Sequence, residues 1–428
     1  MFFFDTNKKG TFLTRLDTLA GNFWVAENIS LKLFTMQYNS RMTCRSSPQK
    51  LSKLALFVIV LLAAVAHAVD YQYLMYVGTY TDKGSKGIYA YRFDPDTGAT
   101  EAIGLVAESP NPSFLAVDPT HKYVYAVNET DNFQGGHTGA VSVFVIDRDT
   151  GKLTLLQEVS SLGAGPAHVS LDKTGRYLLV ANYDSGNIAV FPIEKDGRLG
   201  PRSAFVQHAG SSVNKERQAG PHAHEILPSN DNQFVLTADL GLDELLVYRF
   251  DPKSGSLTPN NPAFAKISPG AGPRHFAIAP SGKFVYLVNE MSSTVKVFAF
   301  AADKGQLQEQ QTISTLPAGF KGENTTAEIE VDAKGKFLYV SNRGDDSIAV
   351  FAIDPHNGKL AFVERVPTGG KTPRHFALDP TGKWLFAANQ DSNDISVFQV
   401  GPTGGRLKPT SNSLKLATPV SVVFVPIK

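Results

Sequence analysis

The chain has 428 residues, 42% of them hydrophobic, and is long enough to bury a large core. Its 41 basic and 40 acidic residues nearly cancel and form no basic tail or stripe, so nucleic acid is not an expected partner. The 36 glycines, 25 prolines, 28 phenylalanines and 14 tyrosines favour short strands and many turns over helices.

The first predicted element is an export signal. Residues 54–66 read LALFVIVLLAAVA, follow several basic residues and precede the small-residue site Ala66-His67-Ala68. As a helix this run is only about 20 Å long, too short for a bilayer core of about 30 Å. We therefore predict a secretory signal peptide over residues 42–68, cleaved after Ala68. An uncleaved membrane anchor is the alternative.

Residues 1–41 are interpreted as a disordered upstream extension, because export signals rarely begin roughly 50 residues into a chain. Met42 would then be the start, and Cys44, the one cysteine, would be removed with the signal. Residues 69–428 would carry no disulfide and no cysteine metal ligand. We expect an exported protein, periplasmic or extracellular, without stable membrane association after cleavage.

From Tyr73 onward the chain repeats itself. An aromatic residue opens a short apolar segment seven times, at intervals of 47 to 57 residues, at Tyr73, Tyr123, Tyr177, Phe234, Phe284, Phe337 and Trp384. A turn such as APSGKF and an apolar segment such as PRHFAI precede most of these aromatics, and two further strand-like segments follow. Four short strands per repeat are typical of a β-propeller, and seven repeats predict seven blades.

The two ends of the repeat complement each other. The first unit, YLMYVGTYTDKGSKGIYAYRFD, lacks a leading strand, and the chain ends with TPVSVVFVP, which resembles the leading segment PSFLAVDP. The C-terminal segment is therefore predicted to join the first blade as its inner strand and to close the ring. The predicted fold is all-β: a seven-bladed β-propeller of four-stranded antiparallel blades over residues 69–428, with no internal domain boundary.

Polar residues vary between repeats at two places, the start of the inner strand and the end of the second strand. Antiparallel pairing brings both places to one mouth of the central channel. The first place holds Asn111, Ser113, Ala167, His168, His222, His224, Arg274, His275, Thr326, Glu328, Arg374 and His375. The second holds Asn128, Glu129, Asn182, Tyr183, Asp239, Asn289, Glu290, Asn342, Arg343, Asn389 and Gln390. These residue types suit a small anionic ligand, or an ester or lactone whose oxyanion forms beside a base.

Simpler interpretations of these residues stay open. Arg343 stands in NRGDDS and could pair only with Asp345 or Asp346. His222 and His224 could be two metal ligands, although no third ligand is evident. The chain after residue 68 has neither a GxSxG motif nor a cysteine, which argues against a covalent acyl-enzyme.

The segments GPHAHE, GAGPRHFAIAPSGKFVYLVNE, AEIEVDAKGKFLYVSNRGDDSIAVF and TPRHFALDPTGKWLFAANQDSNDISVF closely resemble the propeller-type lactonase family. That family groups bacterial 6-phosphogluconolactonases with fungal carboxymuconate cyclases, and the resemblance runs from about Tyr73 to the C-terminus. It implies a seven-bladed fold without metal or cofactor. It also implies the catalytic set His222, Glu290, Arg274 and Arg343.

Further residues at the same mouth are candidates for substrate binding. Glu328 matches a recurrent acidic position of the family that the chain resembles. The remaining candidates are Arg374, His275, His224 and Asn289. The expected partner is a small anionic lactone, and we expect the protein to be a monomer.

The expected reaction is the metal-independent hydrolysis of a sugar lactone, 6-phosphogluconolactone to 6-phosphogluconate or a related aldonolactone. Arg274 and Arg343 would hold the anion and stabilise the oxyanion, and Glu290 or His222 would accept a proton from water. The alternatives are a non-catalytic YVTN-type scaffold that binds a cell-surface ligand, a carboxymuconate-type lactone cyclase, and a metal-dependent propeller similar to gluconolactonases. Because the pentose phosphate pathway is cytosolic, the predicted export signal leaves the identity of the lactone open.

Overall fold

The computed structural model describes residues 69–427, which form 28 β-strands and one short 3-10 turn at Phe133–Gly135. The predicted signal peptide over 42–68, the extension over 1–41 and Cys44 lie outside the described residues. No helix within the described range is long and apolar enough to cross a membrane.

The strands group into seven antiparallel sheets of four strands, which are the blades. The first three blades are built from β1 (Tyr73–Thr79), β2 (Gly87–Phe93) and β3 (Thr100–Glu108); β4 (Leu115–Val117), β5 (Tyr123–Asn128), β6 (Ala140–Ile146) and β7 (Leu153–Ser160); and β8 (Pro166–Leu171), β9 (Tyr177–Asn182), β10 (Asn187–Pro192) and β11 (Ala204–Gln207).

The other four blades follow in chain order. They are β12 (Ala223–Pro228), β13 (Phe234–Asp239), β14 (Glu244–Asp251) and β15 (Ser256–Lys266); β16 (Pro273–Ile278), β17 (Phe284–Asn289), β18 (Thr294–Ala301) and β19 (Gln306–Ser314); β20 (Thr325–Val331), β21 (Phe337–Arg343), β22 (Ser347–Ile353) and β23 (Leu360–Pro367); and β24 (Pro373–Leu378), β25 (Trp384–Asn389), β26 (Asp394–Val400) and β27 (Leu407–Lys415). The last strand, β28 (Pro419–Pro426), completes the first blade.

The second strand of every blade begins at one of the seven repeated aromatics, as predicted. These second strands are apolar and buried almost throughout, because each blade must bury both faces against its neighbours. Seven hydrophobic clusters result, and each draws its residues from two adjacent blades. The core of the protein is therefore divided among the seven blade interfaces.

The recurring aromatic and the recurring turn glycine contact each other across blade boundaries. A Cβ on Gly405 would lie 2.4 Å from the ring of Phe337, and one on Gly98 would lie 2.4 Å from the ring of Trp384. Both glycines also have positive φ, +62° and +75°, which disfavours any other residue. The repeat that the sequence shows is therefore a packing device between blades.

The predicted closure of the ring is confirmed. Strand β28 pairs with β1 in antiparallel register, with Val425 opposite Leu74. The innermost strands β28, β4, β8, β12, β16, β20 and β24 each contact the next one around the circle. Ser421 on β28 also accepts a hydrogen bond from the backbone N–H of Leu115 in the second blade, at 3.1 Å.

Candidate active site

The two places that the sequence comparison selected do meet at one mouth of the channel. Pro273 at the start of β16 lies opposite Asn289 at the end of β17, and Thr325 lies opposite Arg343 in the next blade. The antiparallel pairing of inner and second strands thus gathers polar side chains from several blades, as predicted.

Glu290 lies at the centre of this mouth and contacts three arginines. Its Oε1 accepts a hydrogen bond from Nη2 of Arg217 at 2.7 Å. Its Oε2 lies 2.9 Å from Nη2 of Arg343 and 3.1 Å from Nε of Arg274, the latter without hydrogen-bond alignment. Backbone carbonyls on β20 hold the inner two guanidiniums. Arg274 donates to the carbonyl of Ala327 at 2.7 Å, and Arg343 donates to the carbonyl of Thr326 at 3.1 Å.

The three arginines determine the ionisation of Glu290. Burial alone would raise the pKa of this carboxyl, but Arg343, Arg274 and Arg217 lower it to about 2. Burial, followed by the charges of Arg343 and Arg374, lowers the pKa of Arg274. Glu290 is therefore a permanently ionised counter-charge and a weak base. Arg343 does not pair with Asp345 or its neighbour, which excludes the simpler interpretation of the NRGDDS motif.

A cavity of about 320 Å³ opens above this cluster. It is lined by Glu129, Ala167, Tyr183, Arg217, His224, Glu290, Thr325, Arg343 and Arg374. On its far side, Arg374 lies over the ring of Tyr80, 5.2 Å from the centroid, and the Tyr80 hydroxyl donates to Glu129 at 2.9 Å. Burial raises the pKa of Tyr80, so this hydroxyl keeps its proton.

His222 stands beside the cavity and has a defined tautomer. Its Nδ1 lies 2.9 Å from the backbone carbonyl of Tyr183, and its ring stacks on the Tyr183 ring at 4.5 Å. Since a carbonyl only accepts, Nδ1 carries a proton, and the lone pair of the ring's neutral form is on Nε2. His224 lines the cavity itself; burial, then the charge of Arg274, holds its pKa well below the ordinary value. It is therefore neutral.

A buried hydrogen-bond chain fixes the backbone of His222. Asp239 ends β13 at a position where five of the other six blades carry Asn, and its Oδ1 accepts the backbone N–H of His222 at 2.7 Å. Its Oδ2 lies 2.7 Å from Nδ1 of His208, whose Nε2 lies 3.1 Å from the Tyr248 hydroxyl. Asp239 therefore holds the backbone of His222 in position.

Replacing His208 with alanine is expected to lower kcat by between about tenfold and 100-fold while KM changes by less than about twofold, because His222 loses its fixed position. Steady-state kinetics on the lactone substrate will measure kcat and KM separately. His208→Gln, which can still donate to Asp239, should recover part of kcat. An unchanged kcat in the alanine variant would contradict a positioning role.

A second set of polar residues lies deeper in the channel. Nδ1 of His275 lies 3.1 Å from Oε2 of Glu328, and Nε2 of His375 lies 3.6 Å from the same oxygen. The Phe114 ring packs against both histidine rings, at 5.8 Å and 5.6 Å. The space among these groups is only about 10 Å³, so they separate the two mouths of the channel.

The predicted site residues therefore divide by depth. Glu290, Arg343, Arg374 and His224 line the cavity. Arg274 lies beneath it and His222 beside it, whereas His275 and Glu328 belong to the deeper set. Asn289 is buried, donates to Thr294 at 3.0 Å and does not line the cavity.

No cluster of three or more His, Cys, Asp or Glu side chains within residues 69–427 has a geometry that could hold a metal ion. His222 and His224 accordingly have no third ligand there. Independence from metal stays a prediction, which activity in the presence of a chelator will test.

Comparison with known proteins agrees with this geometry. Residues 74–424 match the model of a family described as lactonase, 7-bladed beta-propeller. The chain belongs to this family. A 6-phosphogluconolactonase of Bacillus subtilis is 38% identical over 305 residues, which cover 71% of this chain and 84% of the relative. The solved structure of a periplasmic gluconolactonase of Pseudomonas aeruginosa superimposes with a TM-score of 0.79 and 38% identity, over 83% of this chain and 99% of that protein.

Sequence reasoning missed several residues of this lactonase-family mouth. Tyr183 and Glu129 directly follow second strands and were among the compared positions, but nothing in the sequence ranked them above their neighbours. Tyr80 follows β1 in the YVGTYT segment. Arg217 lies in the connection between β11 and β12, and the signal that could have found it is the longest interval between repeated aromatics, the 57 residues from Tyr177 to Phe234.

The opposite mouth of the channel of this lactonase-family propeller holds a larger cavity of about 620 Å³. Glu330 lines it and accepts the backbone N–H of Leu378 at 2.8 Å. Burial raises the pKa of Glu330 to about 8, above the value of about 4.5 for an unfolded chain. A carboxyl whose pKa rises on folding stabilises the protein at low pH, and that stability is lost as pH increases from 4.5 towards 8.

Replacing Glu330 with glutamine should therefore stabilise the protein by about 2 kcal/mol at pH 8, with little change at pH 4.5. Partial solvation at the channel wall limits the stabilisation to this size. Glutamine can still accept the hydrogen bond from the backbone N–H of Leu378. Urea unfolding at both pH values will measure the stabilisation, with Glu101→Gln, at an exposed position on β3, as control. A stabilisation equal at both pH values would contradict the assignment.

Proposed function

We propose that this protein hydrolyses a six-carbon aldonolactone and that 6-phosphogluconolactone is its substrate. The observation that carries the proposal is the mouth of the channel, where Glu290 and three arginines lie beside a cavity of about 320 Å³. Arginines exceed carboxylates around this cavity, which suits an anionic substrate. The relative in Bacillus subtilis is named 6-phosphogluconolactonase.

The arginines supply the electrostatic part of the reaction. Attack of water on the lactone carbonyl places negative charge on the carbonyl oxygen, and fixed donors that face this charge lower the barrier. Arg343 and Arg274 are held in place by Glu290 and by backbone carbonyls, so they need no rearrangement when the charge develops. Glu290 serves to hold and neutralise them in the resting protein.

His222 is the general base in this proposal. The tautomer fixed by the Tyr183 carbonyl leaves Nε2 free to accept a proton from the attacking water. When the tetrahedral intermediate collapses, the C–O bond of the ring breaks and the ring oxygen takes the proton from Nε2. The product is the open aldonic acid, which then ionises. Glu290, with its pKa of about 2, is the weaker candidate for the base.

The test is hydrolysis of freshly prepared 6-phosphogluconolactone above its spontaneous rate by residues 69–428, beside unphosphorylated gluconolactone and with EDTA present. Turnover that is lost in Arg274→Ala supports the proposal. Turnover of the plain lactone alone would retain lactone hydrolysis and discard the phosphorylated substrate. A folded protein that hydrolyses neither would contradict the proposal and leave a lactone cyclase or a binding scaffold.

Unphosphorylated gluconolactone is the second candidate substrate. The specific observation in its favour is the similarity to the periplasmic gluconolactonase of Pseudomonas aeruginosa. We also propose that the chain is exported through residues 42–68. Fractionation of cells that express the full chain, with deletion of residues 42–68 as control, tests export; equal amounts in the cytoplasm for both chains would contradict it.

We infer that the protein is a monomer. In support, the large exposed apolar side chains, which include Leu155, Phe264 and Phe362, are spread over the strands of several blades. Light scattering across a range of concentrations will measure the mass, and a mass twice that of the chain would contradict the inference.

A further inference from the structure

Arg217 reaches the candidate active site from outside the repeated positions. It lies in the segment 208–222 between β11 and β12, the longest connection between consecutive blades of the described chain. Its Nη2 donates to Glu290 in the fifth blade at 2.7 Å and to the Tyr183 hydroxyl in the third blade at 3.2 Å. One side chain thus spans the mouth.

The backbone beneath Arg217 is anchored. Gln218 is fully buried and its Nε2 donates to the carbonyl of Leu240 at 2.8 Å. Asn214 Oδ1 accepts the backbone N–H of Arg217 at 3.0 Å, and Ser212 Oγ donates to Asp243 at 2.6 Å. The connection is therefore held to the fourth blade on both sides of Arg217, and the side chain is the part that can move.

Arg217 is the outermost of the three arginines on Glu290. Its side chain is 41% exposed, compared with 3% for Arg274 and 13% for Arg343. Only its Nη2 makes hydrogen bonds to the described residues. The N–H groups of Nε and Nη1 can therefore donate to a ligand in the cavity. The two deeper arginines already donate to backbone carbonyls.

The charged side chains around the cavity are positive in sum, so they favour the binding of an anion in addition to Glu290. Arg217, Arg343 and Arg374 face Glu290 and Glu129 in its lining, and the buried Arg274 adds a further positive charge beneath. Glu290 keeps two arginines even when Arg217 turns away from it. A guanidinium that exchanges one carboxylate for a phosphate keeps a charge-assisted hydrogen bond, and its planar fork can bind the phosphate at two points.

We propose that Arg217 is the specificity-determining residue for a phosphorylated lactone: it exchanges Glu290 for the phosphate at the outer end of the cavity, while the lactone ring lies over Arg343 and Arg274. This inference rests on the proposed function and extends it. The ring carbonyl and the phosphate then contact different arginines, so the loss of Arg217 affects the phosphorylated substrate more than the plain lactone.

The experiment compares Arg217→Ala with wild type on 6-phosphogluconolactone and on unphosphorylated gluconolactone. We expect kcat/KM for the phosphorylated lactone to fall by roughly 30-fold or more beyond any loss on the plain lactone, which is the effect of one charge-assisted contact. Arg198→Ala is the matched control, because Arg198 is 46% exposed and pairs with one carboxylate, Asp196, at 2.8 Å. Equal losses on both lactones, or no loss on either, would overturn the inference.

Binding separates this inference from the proposed function. If wild type hydrolyses neither lactone, the proposed function fails, and calorimetry with 6-phosphogluconate still tests Arg217. Tight binding by wild type that weakens by roughly 30-fold or more in Arg217→Ala supports the phosphate contact. Equal affinities in the two proteins, or no binding by wild type, would overturn it. Arg217→Lys, which keeps the charge without the planar fork, should fall between the two.

Discussion

Replacement of Glu290 with glutamine should lower kcat/KM by about 1,000-fold or more and reduce the free energy of unfolding by about 3 kcal/mol at pH 7. Three arginines contact this carboxylate, and glutamine leaves them without a counter-charge in a buried site. Their mutual repulsion would then displace Arg274 and Arg343, the two that we propose stabilise the charge on the lactone carbonyl. The loss is therefore expected in both catalysis and stability.

The stability difference should depend on pH in a defined direction. The pKa of Glu290 falls on folding, from an ordinary 4.5 to about 2. A carboxyl with a lowered pKa contributes stability that is complete above about pH 4.5 and is lost as pH falls towards 2. Urea unfolding of wild type and Glu290→Gln should therefore differ by the full amount at pH 7 and by clearly less at pH 3.5.

The matched control for Glu290 is Glu364→Gln. Glu364 is 18% exposed and pairs with one exposed arginine, Arg406, at 2.7 Å. Its replacement should cost less than about 1 kcal/mol. If Glu290→Gln were as stable as the control at pH 7, or if its deficit were the same at pH 3.5, the three-arginine account of Glu290 would be wrong.

Replacement of Val425 with aspartate should prevent folding of the propeller or destabilise it by more than about 4 kcal/mol. Val425 has no exposed surface, lies on β28 opposite Leu74 and packs in the cluster between the first and second blades. An aspartate there would be a buried charge without a partner. Because β28 is the strand that closes the ring, its loss would also expose the edge of β1.

Thermal and urea unfolding of the purified variant, or its recovery in the soluble fraction, will measure this effect. Val213→Asp is the control, since Val213 is 61% exposed and should tolerate the charge within about 0.5 kcal/mol. A folded Val425→Asp protein with near wild-type stability would show that closure by the C-terminal strand does not hold the ring together.

The two proposals make different demands on the arginines at the mouth. Hydrolysis requires Arg274 and Arg343, which are nearly buried and fixed by backbone carbonyls. Selection of a phosphorylated lactone requires Arg217, which is exposed and has free donors. An active site can therefore keep its chemistry while its outer arginine changes the substrate. This separation is why kinetics on two lactones are more informative than kinetics on one.

The sequence by itself determined the fold and which end of the channel holds the candidate site residues. Seven aromatics at regular intervals predicted seven blades, because each blade must bury the same faces against its neighbours, and TPVSVVFVP predicted the closing strand. The antiparallel order of strands then required the starts of inner strands and the ends of second strands to meet at one mouth. Glu290, Arg274, Arg343 and His222 all lie in or beside that mouth, as the sequence predicted.

Only the tertiary structure decided how deep each side chain lies and which partners it has. The inner strands carry a register shift at their starts, for example between Pro273 and Phe276 and between Pro373 and His375. Such a bulge re-aims the neighbouring side chains, so Arg274 reaches the mouth while His275 turns into the channel beside Glu328. Arg217 could not be predicted from the repeat either. It lies in a long connection between the third and fourth blades, and no periodic pattern governs where such a segment packs.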